Sequence, residues 1–274
     1  MLNPVLKGYS YEGRKLDRDL HQKVGIVMKK LQDPEFVKNR RWGNELQTEL
    51  GSLVGVKGGS IRTIKRMMEQ LRIVKPNELV SSKVPDSQNL LTEEGEIFVL
   101  IIELEEKIDE LPKEYAGRQQ LKEQLDEMYR SFYSKAIFYY YYPEGPRGDS
   151  GRLHLLRATL KALRKYHSVD YWEWYLFNTY ITEDDNAEQE AQLEQAISAY
   201  RSGRYKFDKN KDKPEKYGLS HSYVVRYLQL SGFVKVKGGG YSIRLFEGEN
   251  SANLKDVVLG NDFLNDFYSG RIKI

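Results

Sequence analysis

Cysteine is absent from the 274 residues, which removes disulfides, thiolate nucleophiles and cysteine-bound zinc from consideration. Histidine is nearly as scarce: the four present are scattered and leave no pattern for a His-only site. Long apolar runs are missing too. No stretch approaches the roughly 20 residues a membrane-crossing helix needs, and the N-terminus lacks a signal peptide's apolar core. The expected setting is therefore the cytoplasm, with no membrane partner. An excess of one charge is also lacking, because 43 Lys and Arg stand against 40 Asp and Glu for a net +3. Any contact with nucleic acid must then come from local clusters of cations.

What is present fits a globular chain, with 12% aromatic and 30% charged residues and length for one large domain or two ordinary ones. The most informative stretch runs from Tyr217 to Leu245. Ser220 is a candidate N-cap, and Val224, Tyr227 and Leu228 recur at helical spacing, so a helix of about three turns is expected to end near Gly232. Phe233 to Val236 alternates as a strand, Gly238 to Gly240 permits a turn, and Tyr241 to Leu245 supplies the return strand. A helix followed by a hairpin is the second half of a winged helix-turn-helix. With the apolar positions inward, His221, Ser222, Arg226 and Gln229 are left on the open side, and together with Ser220 they are candidates for reaching base edges or phosphates. Lys235, Lys237 and Tyr241 on the hairpin are candidates for backbone or minor-groove contacts.

An earlier segment has the same plan. Leu2 to Arg18 reads as a polar arm. Val24, Val27, Met28 and Leu31 form a helical stripe ended by Asp33-Pro34. Asn44 to Leu53 reads as a second helix, Gly55 to Gly59 as a turn, and Ser60 as the cap of a third helix burying Ile61, Ile64, Met68 and Leu71. Arg62, Thr63, Lys65, Arg66 and Glu69 then face outward, and Ser60, Arg62, Thr63, Lys65 and Arg66 are candidates for base or phosphate contacts. A strand at Ile73 to Lys75, a polar wing from Pro76 to Asn89 and a return strand at Leu90 to Thr92 complete a first winged helix. Thr92 caps the next helix.

Glu93 to Tyr142 reads as a helical connector, with Ile97, Leu100, Ile101 and Leu104 forming one apolar stripe and Leu121, Leu125, Met128 and Phe132 another. Four tyrosines, Tyr139 to Tyr142, precede a loop at Pro143 and are read as interface filling. Arg152 to Tyr166 is the next helix, with Leu153, Leu156, Leu160 and Leu163 inward and Arg157, Lys161, Arg164 and Lys165 opposite. Val169 to Tyr180 reads as a heavily buried helix. An acidic segment, Glu183 to Glu194, gives way to a basic one, Arg201 to Lys216. A basic run is commonly a solvated loop. Lying just before the candidate recognition helix, this one, Lys216 included, is also a candidate phosphate clamp.

The fold class expected is mainly α with small β-hairpins: two winged helix-turn-helix subdomains and a helical connector. The boundaries are 1–110 for the first subdomain with its arm, 111–148 for the connector, 149–250 for the second and 251–274 for a helical tail. The succession LTEEGE, YYYYPEG, LHLLRATLKAL, AISAYRSGRY and SYVVRYLQLSGFVKVKGGGYSIRL resembles the N-terminal DNA-recognition region of type IIS restriction and nicking endonucleases. The likeness covers most of residues 40 to 250, as element order and short degenerate motifs. It implies two winged helices that read an asymmetric site on double-stranded DNA, with a Mg²⁺-dependent nuclease domain on the C-terminal side. Only Phe246 to Ile274 follows here, so the expectation is a recognition module whose nuclease is a missing domain or a separate subunit, with no cofactor and no catalytic residue of its own.

One pattern in the chain resembles a cleaving site. Asp86 followed by Glu105-Glu106-Lys107 mimics the Asp…Glu-x-Lys pattern of magnesium-dependent nucleases. Those motifs need strands, and this segment has helical periodicity, with Glu105 and Glu106 expected on the wet side. Two other classes share the sequence features: a winged-helix transcriptional or plasmid-replication protein, and a protein-interaction module.

Overall fold

A computed structural model describes residues 3–7, 15–142, 153–212, 218–238 and 244–247; for Tyr142, residues 218–222 and residues 245–247 it describes the backbone alone. The architecture is mainly α-helical with small β elements. Two compact units divide it, a first within Gly13–Phe132 and a second within Met1–Glu12 and Tyr133–Ile274.

The first unit begins with α1 (Arg18–Leu31), which Asp17 caps by accepting from Leu20 N–H. Its Val24, Val27, Met28 and Leu31 are fully buried, each side chain contributing about 1.5–3 kcal/mol through burial. A single turn, α2 (Pro34–Val37), starts at its proline and is capped by Asp33, a position where the missing N–H costs nothing. Helices α3 (Asn44–Leu53) and α4 (Gly58–Gln70) follow and pack against each other. The turn between them is tight: Gly55 has φ +68°, and a Cβ on Gly51 would lie 2.5 Å from the Val56 carbonyl oxygen. Only a residue without a side chain allows that approach. Helix α4 buries Ile61, Ile64, Met67 and Met68.

The expected wing after α4 is reduced to one bridge, Val74 with Leu91, flanked by hydrogen bonds from Lys75 N–H to Leu90 O and from Thr92 N–H to Ile73 O. Pro76 and Pro85 cannot donate to a ladder, and Leu79 turns back into the core instead. Thr92 does cap α5 (Glu93–Glu110), accepting from Gly95 N–H at 2.9 Å. The apolar stripe of α5 differs from expectation. Phe98, Ile101, Ile102 and Ile108 are buried, while Ile97 and Leu100 are 53% and 61% exposed. Both sets have helical spacing, and the bulkier one won. Helix α6 (Arg118–Phe138) gives Leu125, Tyr129 and Phe132 to this unit, with Met128 outward.

The second unit takes up the end of α6, where the buried Ser134 hydroxyl donates to Ser231 O at 2.7 Å. A two-residue ladder joins β1 (Tyr141–Tyr142) to β2 (Leu153–His154), so the helix expected from Arg152 begins only at Leu155. Tyr140 of the tyrosine run is buried against Tyr227. Helix α7 (Leu155–Tyr166) leads to β3 (Ser168–Asp170) and α8 (Tyr171–Tyr180). Val169 thus lies in a strand rather than at a helix start. The reason is Asp170, whose carboxylate and that of Glu173 form a capping box that fixes the first turn of α8. Then come α9 (Ala187–Arg201), α10 (Gly218–Leu230), β4 (Val234–Lys237) and β5 (Arg244–Glu247). The sheet has the order β3-β5-β4, antiparallel throughout.

Residues 3–7, expected as part of a loose arm, are tied to the second unit. Leu6 is buried, Lys7 N–H donates to Thr179 Oγ1 at 2.9 Å, and Asn3 exchanges two hydrogen bonds with the Lys206 backbone. The tail expected at 251–274 lies outside the described residues. Among the described residues, no helix is long and apolar enough to cross a membrane.

Candidate nucleic-acid interface

In the first unit the outward residues of α4 are graded by their neighbours. Arg62 is exposed, while Thr63, Lys65 and Arg66 are half-buried. Lys65 Nζ forms an ion pair with Glu69 at 2.9 Å. Burial pushes the Glu69 carboxyl above its usual range, against the pull of Lys65 and Arg66. One of the cations expected to face a ligand is therefore partly neutralised by its own helix. Ser60 is not the cap. The helix begins two residues earlier at Gly58, with Lys57 as N-cap and no side-chain cap bond, because Gly58 is small enough to pack against the Thr48 backbone. First-turn N–H groups without a side-chain cap suit an anion.

In the second unit α10 has the orientation its periodicity predicts. Val224, Val225, Tyr227 and Leu228 are buried, and Arg226 and Gln229 are exposed. Arg226 Nη1 donates to Gln229 Oε1 at 3.0 Å, so the amide one turn on orients the guanidinium. The helix starts at Gly218, which puts Ser220 inside its first turn instead of at the cap. Ser220, His221 and Ser222 have described backbones only, and Lys216 and Tyr241 lie outside the described residues.

The sheet adds cations on one face. Val234 is buried and Lys235 and Lys237 are exposed, as strand alternation requires. The register sets Lys237 opposite Arg244, with Asp170 on the far side of Arg244. Like charges directly opposite each other are unfavourable unless an anion approaches. Nothing local in the sequence marks Arg244; its place emerges only from the hairpin register.

Other basic residues are engaged within their own unit. Arg157, expected outside α7, is 4% exposed. Its Nε donates to Phe138 O at 3.1 Å and its guanidinium lies over the Phe138 and Tyr139 rings at 4.6 and 5.2 Å. Burial lowers its pKa, with Tyr139 and Asp184 opposing. Lys161 pairs with Asp185, and Lys165 with Glu194 at 2.7 Å. Arg201, first of the basic run, binds the buried Glu173 carboxylate and donates to Ser168 O at 2.8 Å. A cavity of about 120 Å³ between α7, α8 and α9 has an apolar floor of Phe177, Ile181 and Leu193 and a rim crossed by the Lys161–Asp185 pair.

The Asp86…Glu105-Glu106-Lys107 pattern does not assemble. Residues 105–107 lie within α5. Glu105 is turned inward, not to the wet side: it accepts from the Tyr129 hydroxyl at 2.6 Å and has Arg18 at 3.4 Å and His21 at 3.6 Å. Glu106 binds Lys29 at 2.9 Å. Among the described residues, no group of three or more His, Cys, Asp or Glu side chains can hold a metal ion. No protein-family model, curated protein or solved structure matches this chain.

Proposed function

We propose that the chain binds double-stranded DNA at a specific sequence through two winged-helix units, as the recognition part of a type IIS-like restriction endonuclease in the cytoplasm. The supporting observation is the second unit's arrangement. A helix exposes an Arg226–Gln229 pair, and a hairpin bearing Lys235, Lys237 and Arg244 follows in a β3-β5-β4 sheet. A strand between the first two helices that pairs with the hairpin's second strand is how a winged helix closes its sheet. In the first unit the sequence α3, glycine turn, α4 and bridge follows the helix-turn-helix plan, with Arg62, Lys65 and Arg66 on the outer side. Base reading is assigned to Arg226, a bidentate donor to guanine with Gln229 as its positioning residue, and phosphate contact to the lysines. Cleavage, and the Mg²⁺ it needs, belongs to a nuclease domain or subunit that works with this chain.

Selection of bound sites from a random duplex pool tests the reading directly. Arg226→Ala should then weaken the selected duplex by about 1–3 kcal/mol and relax preference at one base position. Equal weakening of every sequence would demote Arg226 to a phosphate contact, and failure of the wild-type chain to retard any duplex at low salt would favour a protein-interaction module.

A further inference from the structure

Residues 204–211 form a strap that leaves the end of α9, and four of its side chains, Arg204, Lys206, Lys209 and Lys211, are exposed. Three sets of contacts fix its backbone. Arg204 and Tyr205 N–H both donate to Ala199 O after Gly203 at φ +74°. Lys206 exchanges hydrogen bonds with Asn3 at 2.7 and 3.2 Å. The Phe207 ring stacks on Trp172 with centroids 5.2 Å apart and meets Tyr200 and Tyr205 at 5.7 and 6.3 Å. Asp208 within the strap and Asp212 just after it are engaged by turn amides: Asp212 accepts from Asp208 N–H at 2.6 Å, and Asp208 from Asn210 N–H at 2.7 Å.

We propose that this strap is a second DNA contact, gripping the sugar-phosphate backbone without reading sequence; it rests on the duplex-binding reading above. Its cations stand on a backbone that is already ordered, so little freedom is lost when phosphates dock. Lysine and arginine side chains offer donors and no acceptor, which suits phosphate oxygens and leaves bases undistinguished. The strap also stays near α10. Six residue steps separate Asp212 from Gly218, and at about 3.6 Å each they span at most roughly 22 Å. The strap's aromatic rings face one another and are half-buried, so the surface presents charge rather than the apolar face a membrane-lying element needs. Arg201 takes no part, since its guanidinium is committed to the buried Glu173 carboxylate.

The test replaces all four cations, Arg204→Gln, Lys206→Gln, Lys209→Gln and Lys211→Gln, in the full chain. Fluorescence anisotropy follows a selected and a scrambled duplex at about 50 and 200 mM salt. Both duplexes should weaken by the same factor, the preference between them should stay, and the slope of log affinity against log salt should become shallower by about 0.9 for each phosphate released. Unchanged affinity and slope, with wild type binding normally, would overturn the strap alone. So would weakening confined to the selected duplex, or a loss seen only on phosphatidylserine vesicles. Wild type that binds no duplex removes the DNA reading and the strap with it. If the fourfold variant melts early, Lys209→Gln with Lys211→Gln carries the same test with about half the slope change.

Discussion

The two units hold their candidate recognition helices by different means. In the first, α4 is fixed by backbone approaching backbone: Gly51 lies against the Val56 carbonyl, Gly58 against Thr48, and farther on Gly95 against Ile73. The segment after it forms a single bridge. In the second, α10 is followed by a hairpin built into a three-stranded sheet, and the surrounding helices are joined by side chains, with Arg201 on Glu173 and Tyr200 on Asp170. Glycine contacts leave little or no room for an added atom, whereas side-chain contacts give way more gradually. The first unit should therefore fail sharply at a few positions, and the second by smaller steps at many.

The sharpest way to break that contrast is Gly95→Ala. An added Cβ would stand 1.9 Å from the Ile73 carbonyl oxygen, so the α5 backbone must shift, at a cost of about 3 kcal/mol or more. Hydrogen exchange read by mass spectrometry should lose protection across α4 and α5 while α7 and α8 keep theirs; equal loss in both units would show that they unfold as one.

Arg201→Met addresses the second unit. It leaves the buried Glu173 carboxylate without its cation, which costs about 1–2 kcal/mol once the partial exposure of Arg201 is allowed for. Protection should fall in α8 and α9 only. Thr92→Val removes the cap of α5 and should cost about 1 kcal/mol in denaturant unfolding, a step smaller than that of Gly95→Ala in the same turn.

Acid separates the units more gently. Burial pushes the Glu105 carboxyl up, but His21, Tyr129 and Arg18 outweigh it and hold it below its usual value of 4.5. A carboxylate with a lowered folded pKa stabilises above its unfolded value, and that contribution is lost as pH falls through the folded one. Glu105→Gln should therefore flatten the first unit's loss of stability below pH 4.5, and an unchanged acid limb would remove Glu105 from that role. The smallest effect expected is from Glu69→Gln. Releasing Lys65 and removing a negative charge beside Arg66 should tighten every duplex alike by about threefold at low salt, and no change would place the α4 face away from DNA.

Much of the helical framework is legible in the sequence. The bounds of α3, the Thr92 cap and the open position of Arg226 and Gln229 follow from spacing and capping chemistry, which are local. Features that depend on partners distant in the chain are not. Arg157 looks like a solvated cation until the Phe138 and Tyr139 rings are placed beneath it, and Glu105 looks wet until α6 brings Tyr129 to it. Ser60 reads as a cap because propensity favours serine there, yet two glycines ahead of it extend the helix. The choice between Ile97 with Leu100 and Phe98 with Ile102 is one of tertiary packing, to which helical periodicity is blind. The face of Arg244 required the hairpin register.

Residues 3–7 belong to a unit whose remaining parts come only after the whole of the other one. On the ribosome, Gly13–Phe132 can collapse as soon as it emerges, while the opening residues must wait for Thr179 and Lys206 to be made. At roughly 5–20 residues per second, reaching Lys206 from the opening residues takes about 10–40 s. Assembly is thus ordered by the chain's own route, with the inserted unit ready first and the surrounding one closed last.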